Sequence, residues 1–469
     1  MTKPVFLAAG AISLAAFVAG TAAASPPATV RVPDRTCNVR DFGAKASIIW
    51  YDTEAFQKAI DSCAASGGGT VEVPRGEYLV GPLFLASNIR LNLQARAEIV
   101  GGTDPALFRL TEAIRKYASS PSYVALINVR DAHNVAITGP GTIDGQGAVW
   151  WERTREGWRN DQEAAKNGAI RQSRGVDRPR LILITNAQNV LIDGVHLANS
   201  PAYNIVFKNS DDVAVTHVTI SAPPHSPNTD AIDPMDTRNV LIAYNTISCG
   251  DDVVAIKSTR FDPGHPDAVS ANITITDNNF LEGRGISIGS NTNGGVKHVL
   301  VENNKMSGAM YGVRIKTMRG KGGEVSDVVI RNNSFTGVET PFVFSDYYQQ
   351  RPSDIAEARR QMQKGGFILN DQIYPNDADP SQPFERNKTP DIHDITVDGF
   401  TATGADRVGI IVGLPEAPIR NLVLRNMKVD ADTGLVVRNA SVTRSDVSLA
   451  VKSGAPVSLE AGAKLSDRP

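Results

Sequence analysis

The chain has 469 residues, a formal net charge of −2 and a pI of about 6.4. Phosphate binding needs a broad basic surface, so this balance argues against nucleic acid as partner and leaves room only for a local basic site. Hydrophobic residues make up 41% and aromatics only 6%, which predicts a large core of aliphatic side chains.

In chain order, the first expectation is a signal peptide over residues 1–24. Lys3 supplies the positive region, Phe6 to about Ala19 is apolar, and Thr21 to Ser25 offers a small-residue cleavage site. The alternative is a membrane anchor, for which the apolar run is short. The mature chain, 25–469, is then read as one soluble domain, a monomer, exported to a periplasm or beyond the cell, with no membrane contact after signal removal. Of the three cysteines, Cys37 and Cys63 form the plausible pair, tying the first extended segment to the first helix. Cys249 would then be free and buried. The spacing fits no metal site. Asp52 to Ile60 reads as a short amphipathic capping helix. Gly67-Gly68-Gly69 follows and opens a strand at Thr70–Val73.

From there a short pattern recurs. A polar residue, usually Asn or Asp, precedes a run of Val, Ile or Leu. It appears at Asn134-Val135, Asn189-Val190, Asp212-Val213, Asn239-Val240 and Asn272-Ile273, then at His298-Val299, Asp327-Val328, Asp394-Ile395 and Asn421-Leu422. Most neighbouring copies lie roughly 23–33 residues apart, a period that marks a solenoid. The expected fold is all-β, a single-stranded right-handed parallel β-helix, with alternate side chains pointing into an aliphatic stack. A β-sandwich is the alternative, but its turn signals would come about every 8–12 residues without the larger repeat. Two insertions break the pattern. Residues 145–180 carry Trp150, Trp151 and Trp158, and residues 345–390 carry Tyr347, Tyr348 and an expected helix from Asp354 to Lys364. These aromatics could stack on sugar rings or pack against the coil body.

Asp230 closes Ser226-Pro-Asn-Thr-Asp230, and Asp251 lies 21 residues on, close to one coil. Residues one coil apart in sequence lie side by side on a stacked face. Arg284 falls about one coil further and Arg314 one more. Asp251 and Asp252 are adjacent, so both face one groove only if the backbone bends, and Gly250 permits a bend. Arg314 and Lys316 are two apart and share a face. Clustered carboxylates cannot all ionise easily, so one keeps a proton as general acid while the others activate water. That division of labour suits glycoside hydrolysis.

At these residues the chain resembles glycoside hydrolase family 28, the polygalacturonase family. The matching stretches are Ser226-Pro-Asn-Thr-Asp230, Gly250-Asp-Asp252, Gly283-Arg-Gly-Ile-Ser-Ile-Gly-Ser290 and Arg314-Ile-Lys316, supported by Asn199-Ser200-Pro201 and Gly139-Pro-Gly-Thr-Ile-Asp-Gly145. The resemblance covers roughly residues 36–440. It implies inverting hydrolysis of α-1,4-linked galacturonate in polygalacturonate, pectin or their oligosaccharides, with exo action slightly favoured over endo by the insertions. It implies Asp251 as general acid, Asp230 and Asp252 as holders of the water, and Arg314 and Lys316 as a clamp on the substrate carboxylate. Asn228 and Tyr348 are further implied substrate contacts, with Tyr347 one position off. No metal or organic cofactor is implied. One departure stands out: the family's third motif is usually Gly-His-Gly, and Arg284 occupies the histidine position. Arginine cannot exchange a proton at working pH. This leaves three outcomes: a more acidic pH profile, Arg284 as a second contact to a uronate carboxylate, or a weakly active or non-catalytic pectin-binding β-helix. His225 could partly substitute, or be a surface turn histidine.

Overall fold

The computed structural model describes residues 30–118, 121–166, 177–259, 267–348 and 384–467. The signal-peptide expectation, the helix expected from Asp354 to Lys364 and most of the second insertion lie outside these residues. Among the described residues, thirty-four strands join one continuous sheet wound into a parallel β-helix.

The repeat read from the sequence is the coil itself. Val135 pairs with Val190, and the ladder continues through Val213, Val240, Ile273, Val299, Val328, Ile395 and Leu422. All of these side chains are buried. Each fully buried Val or Ile of this kind contributes about 1.5–3 kcal/mol. The polar residue ahead of each has a left-handed backbone, from Asn421 at φ 50° to Asn189 and Asn272 at φ 57°. Short Asn and Asp side chains tolerate that conformation because they hydrogen-bond locally. They also bond from coil to coil: Asn189 Nδ2 donates to Asn134 Oδ1 at 2.7 Å, and Asn239 Nδ2 to Asp212 Oδ1 at 3.0 Å. A second, buried ladder runs Asn245, Asn278, Asn304, Asn333, each amide donating to the next at 2.9–3.0 Å. The second ladder satisfies buried amide groups that would otherwise be stranded at its bend.

The helix Thr53–Ala65 caps the N-terminal coil, running five residues beyond the expected end at Ile60. It buries Phe56 and Ile60 over the aliphatic stack. Cys37 and Cys63 form a disulfide between the first strand and this helix, and Cys249 is free and buried.

In the first insertion, the two described indoles are packed inward. Gly147–Lys166 is a twenty-residue helix. Trp150 is buried edge-on against Phe108 and Tyr123, and Trp151 is buried with Nε1 donating to Ser200 O at 3.0 Å. Both indoles pack inward, so of the two alternatives packing holds for these two. The Trp158 side chain lies outside the description.

Candidate active site

The four motifs meet on consecutive coils. Ile232 pairs with Val254, Val254 with Ile286, and Ile286 with Val313. Asp230, Asp252 and Arg284 each lie two residues ahead of a stacked position, so they occupy one row. The turn that presents Asp230 is held internally. Ser226 Oγ lies 2.6 Å from Thr229 Oγ1, which in turn accepts from Gly250 N at 2.9 Å. The chain bends at Gly250 and Asp251, as two adjacent carboxylates facing one site require, and Gly250 also permits close approach: a Cβ would sit 2.2 Å from Ser226 O.

The three carboxylates each offer an oxygen within 4.8 Å of the others. Their surroundings differ sharply. Asp252 is 1% exposed. Its Oδ1 accepts from Arg314 Nη2 at 2.6 Å and Ser287 Oγ at 2.9 Å, and its Oδ2 from Lys316 Nζ at 2.6 Å. Burial alone would push its proton affinity up. Lys316 and Arg314 overcome that and hold the carboxyl well below the usual range, so it is a permanent anion. Both its oxygens are committed to protein cations and are not open ligands for an ion.

Asp230 is the opposite case. It is buried, and its Oδ1 has no hydrogen-bond partner among the described residues. Its Oδ2 lies 3.4 Å from Lys257 Nζ. Burial, then the charges of Asp251 and Asp233, raise its pKa well above the carboxylate norm against the pull of Lys257. Asp251 is the most accessible of the three, its side chain 12% exposed against 6% for Asp230 and 1% for Asp252. Its Oδ1 accepts from Asp252 N at 3.0 Å, and its Oδ2 from Asn228 Nδ2 at 3.3 Å. Arg284 Nη1 stands 3.9 Å from Oδ1.

Arg314 and Lys316 share a face, as two-residue spacing requires, but they do not form an open clamp. Arg314 is 1% exposed, with its Nε on Ser287 Oγ at 2.7 Å and its guanidinium 4.5 Å from the Tyr311 ring centre. It is a buried support for Asp252. Lys316 also spends its charge on Asp252 but lies nearer the surface, 5.4 Å from the Tyr348 ring centre. Tyr347 is buried and faces Arg438 instead. His225 is an exposed turn residue whose carbonyl accepts from Arg155 Nη2 at 3.2 Å.

Several groups around the carboxylates escaped the sequence reading. Arg178 is buried and donates to Thr154 Oγ1, Pro227 O and Asn228 Oδ1. By holding Oδ1 it turns the Asn228 amide nitrogen toward Asp251. It lies in an irregular stretch, where no periodicity could have revealed it. Asp233 and Lys257 lie on the strands that directly follow Asp230 and Asp252, and Ser287 on the strand of the next coil, so register counting could have found them.

Clustered carboxylates backed by cations on a parallel β-helix fit acid–base chemistry on a glycosidic bond. The model for glycosyl hydrolases family 28 matches residues 63–363, and the chain belongs to that family. It is a polygalacturonase-type O-glycosyl hydrolase. It is 29% identical to an endo-polygalacturonase of Pectobacterium parmentieri over 92% of this chain and 97% of that one. Among solved structures, the fold matches a Thermotoga maritima exopolygalacturonase with a TM-score of 0.72 at 25% identity, covering 91% of this chain and 94% of that one. The Erwinia carotovora polygalacturonase matches with a TM-score of 0.68 at 28% identity, covering 89% and 100%.

Proposed function

We propose that the chain hydrolyses α-1,4-galacturonosyl linkages of polygalacturonate by acid–base catalysis, with inversion, and acts from chain ends. The observation that carries this is the unequal trio: three carboxylates within 4.8 Å, one locked as an anion and one with raised proton affinity. Asp230 and Asp251 are close enough to titrate as a pair rather than singly. When the shared proton sits on Asp251, the more accessible group, it can be delivered to the glycosidic oxygen. Asp230 is then the ionised base for water, and Asp252 keeps the site negative beside the developing positive charge. Lys316 and Tyr348 line the rim where a substrate carboxylate would bind, and Asn228 sits beside Asp251. Export by way of residues 1–24 belongs to the same reading.

The spacing deserves a direct test, because inverting glycosidases commonly hold their carboxyls about 6.5–9.5 Å apart and retaining ones about 5–5.5 Å. Inversion here requires the water to lie between Asp230 and Asp252 rather than across a wide gap.

Exo action is supported by the helix Gly147–Lys166. Its Arg155 reaches the His225 carbonyl, and Thr154 joins it through Arg178 to Asn228, so it forms a wall beside the catalytic turn. Product analysis from the first minutes of polygalacturonate digestion tests both points. The expected products are short saturated fragments of one length, first formed as the β anomer. A ladder of intermediate lengths contradicts exo action, and an initial α anomer contradicts inversion.

Arg284 carries a further expectation. A fixed cation 3.9 Å from Asp251 favours the carboxylate over the acid. Removing it makes the proton easier to hold. Arg284→Gln should therefore move the alkaline limb of the pH–rate profile upward, by about one unit. An unmoved limb would show that Arg284 serves substrate binding alone, and KM would rise instead.

A further inference from the structure

We propose that Lys257 is a positioning residue, shared between Asp233 and Asp230, whose placement sets the pH at which Asp230 becomes a usable base. The inference rests on the reading of Asp230 as base given above.

The geometry is specific. Asp233 lies on the strand Ile232–Met235, directly after the Asp230 turn, and Lys257 lies on the next coil, where it pairs with Met235. The Lys257 side chain is 14% exposed, and its ammonium stands 2.5 Å from Asp233 Oδ2 and 3.4 Å from Asp230 Oδ2. Asp230 Oδ1 and Asp233 Oδ1 are both buried without a hydrogen-bond partner among the described residues. Two buried carboxylates thus lean on one cation from the same side, and the nearer one holds it. A cation parked on Asp233 stabilises an ionised Asp230 less than one placed squarely on it.

The other charged or titratable groups around Asp230 do not replace this control. Arg178 is occupied with Thr154, Pro227 and Asn228. Arg180 and the Lys257 ammonium both approach the Tyr203 ring, at 5.3 and 4.9 Å. The Tyr203 phenol is pushed up to about 12 by burial and by Asp230, so it stays neutral at working pH. Burial likewise keeps the Cys249 thiol protonated. Asp252 is held by Arg314 and Lys316, and Asp251 faces Arg284. Lys257 is therefore a cation in contact with Asp230, and Asp233 is its competitor; Arg180 adds positive charge near both carboxylates.

Two substitutions should move the same titration in opposite directions. Lys257→Met removes the cation, so the acidic limb of kcat/KM on polygalacturonate shifts to higher pH by about one unit or more. Asp233→Asn removes both the competitor and a like charge, so the ammonium moves to Asp230 and the limb shifts to lower pH. A merely structural pair would lower rate or melting temperature in both variants and leave the limb in place. Unmoved limbs, or shifts in the same direction, overturn the proposal. If Lys257→Met does not fold, the near-isosteric Asp233→Asn decides alone by the direction of its shift. Carboxyl carbon-13 titration of Asp230 in labelled protein reads the same displacement without turnover. Asp230→Asn runs alongside: full activity there would sink the reading of Asp230 as base, whereas an inactive Asp230→Asn with unmoved limbs sinks only the role of Lys257.

Discussion

Asp251→Asn should lower kcat on polygalacturonate by about 10²–10⁴-fold, the range over which a positioned general acid contributes, while leaving the fold intact. The substitution keeps volume, removes the transferable proton, and replaces the Oδ2 that accepts from Asn228 Nδ2 by a donor. Asp251 is the least buried of the three acids, and its carboxyl contacts include Asp252 N at 3.0 Å, Asn228 Nδ2 at 3.3 Å and Arg284 at 3.9 Å. The Asn oxygen can still accept from Asp252 N. The expected signature is therefore kinetic, a large fall in initial rate with a melting temperature close to wild type. Equal rates in the two proteins would remove Asp251 from the acid role.

Asp252→Asn should be costly twice over. Activity is lost because the permanent anion disappears, and stability falls because two buried cations lose the carboxylate that both of them contact. Arg314 is 1% exposed and Lys316 7%, and both reach Asp252 at 2.6 Å. Breaking one partner of such a buried group costs about 3–5 kcal/mol. A urea unfolding midpoint measures it, and a change near zero would show that water enters and screens the cations. Adding Lys316→Met to Asp252→Asn should restore part of the stability and none of the activity. The pH dependence has a definite sign. The Asp252 pKa is lower in the folded chain than in the unfolded one, so its contribution is complete above the ordinary carboxylate range, near pH ~4. It is lost only as pH falls through the depressed folded value. Asp230 runs the other way: its folded pKa is raised, so its ionisation weakens the fold as pH climbs past the ordinary range.

Much of this architecture was legible in the sequence because a solenoid writes its period openly. The Asn- or Asp-led runs from Asn134 to Asn421 mark the same bend of successive coils, and their left-handed backbone explains why those residue types recur there. The spacing from Asp230 through Asp251 and Arg284 to Arg314 translated directly into neighbouring coils. What remained hidden depends on side-chain burial, which spacing does not report. Arg314 and Lys316 share a face whether they point into a groove or onto Asp252, and the structure has them on Asp252. Trp150 and Trp151 are as compatible with a sugar platform as with packing until Phe108, Tyr123 and Ser200 are seen beside them. Gly250 reads as a bend from sequence, and only the nearness of Ser226 O reveals the steric reason. Lys257 looks like an ordinary strand residue until its ammonium is found between Asp233 and Asp230.

The most direct measurement of the central claim is reducing-end release from polygalacturonate by the wild-type chain, from the acid side of the carboxylate range to neutrality, beside calorimetric binding of an oligogalacturonate. The carboxylate trio predicts steady release on the acidic side of neutrality. Binding of the oligogalacturonate with no release at any pH would contradict it, and would make Arg284 the mark of a β-helix that holds pectin without cutting it.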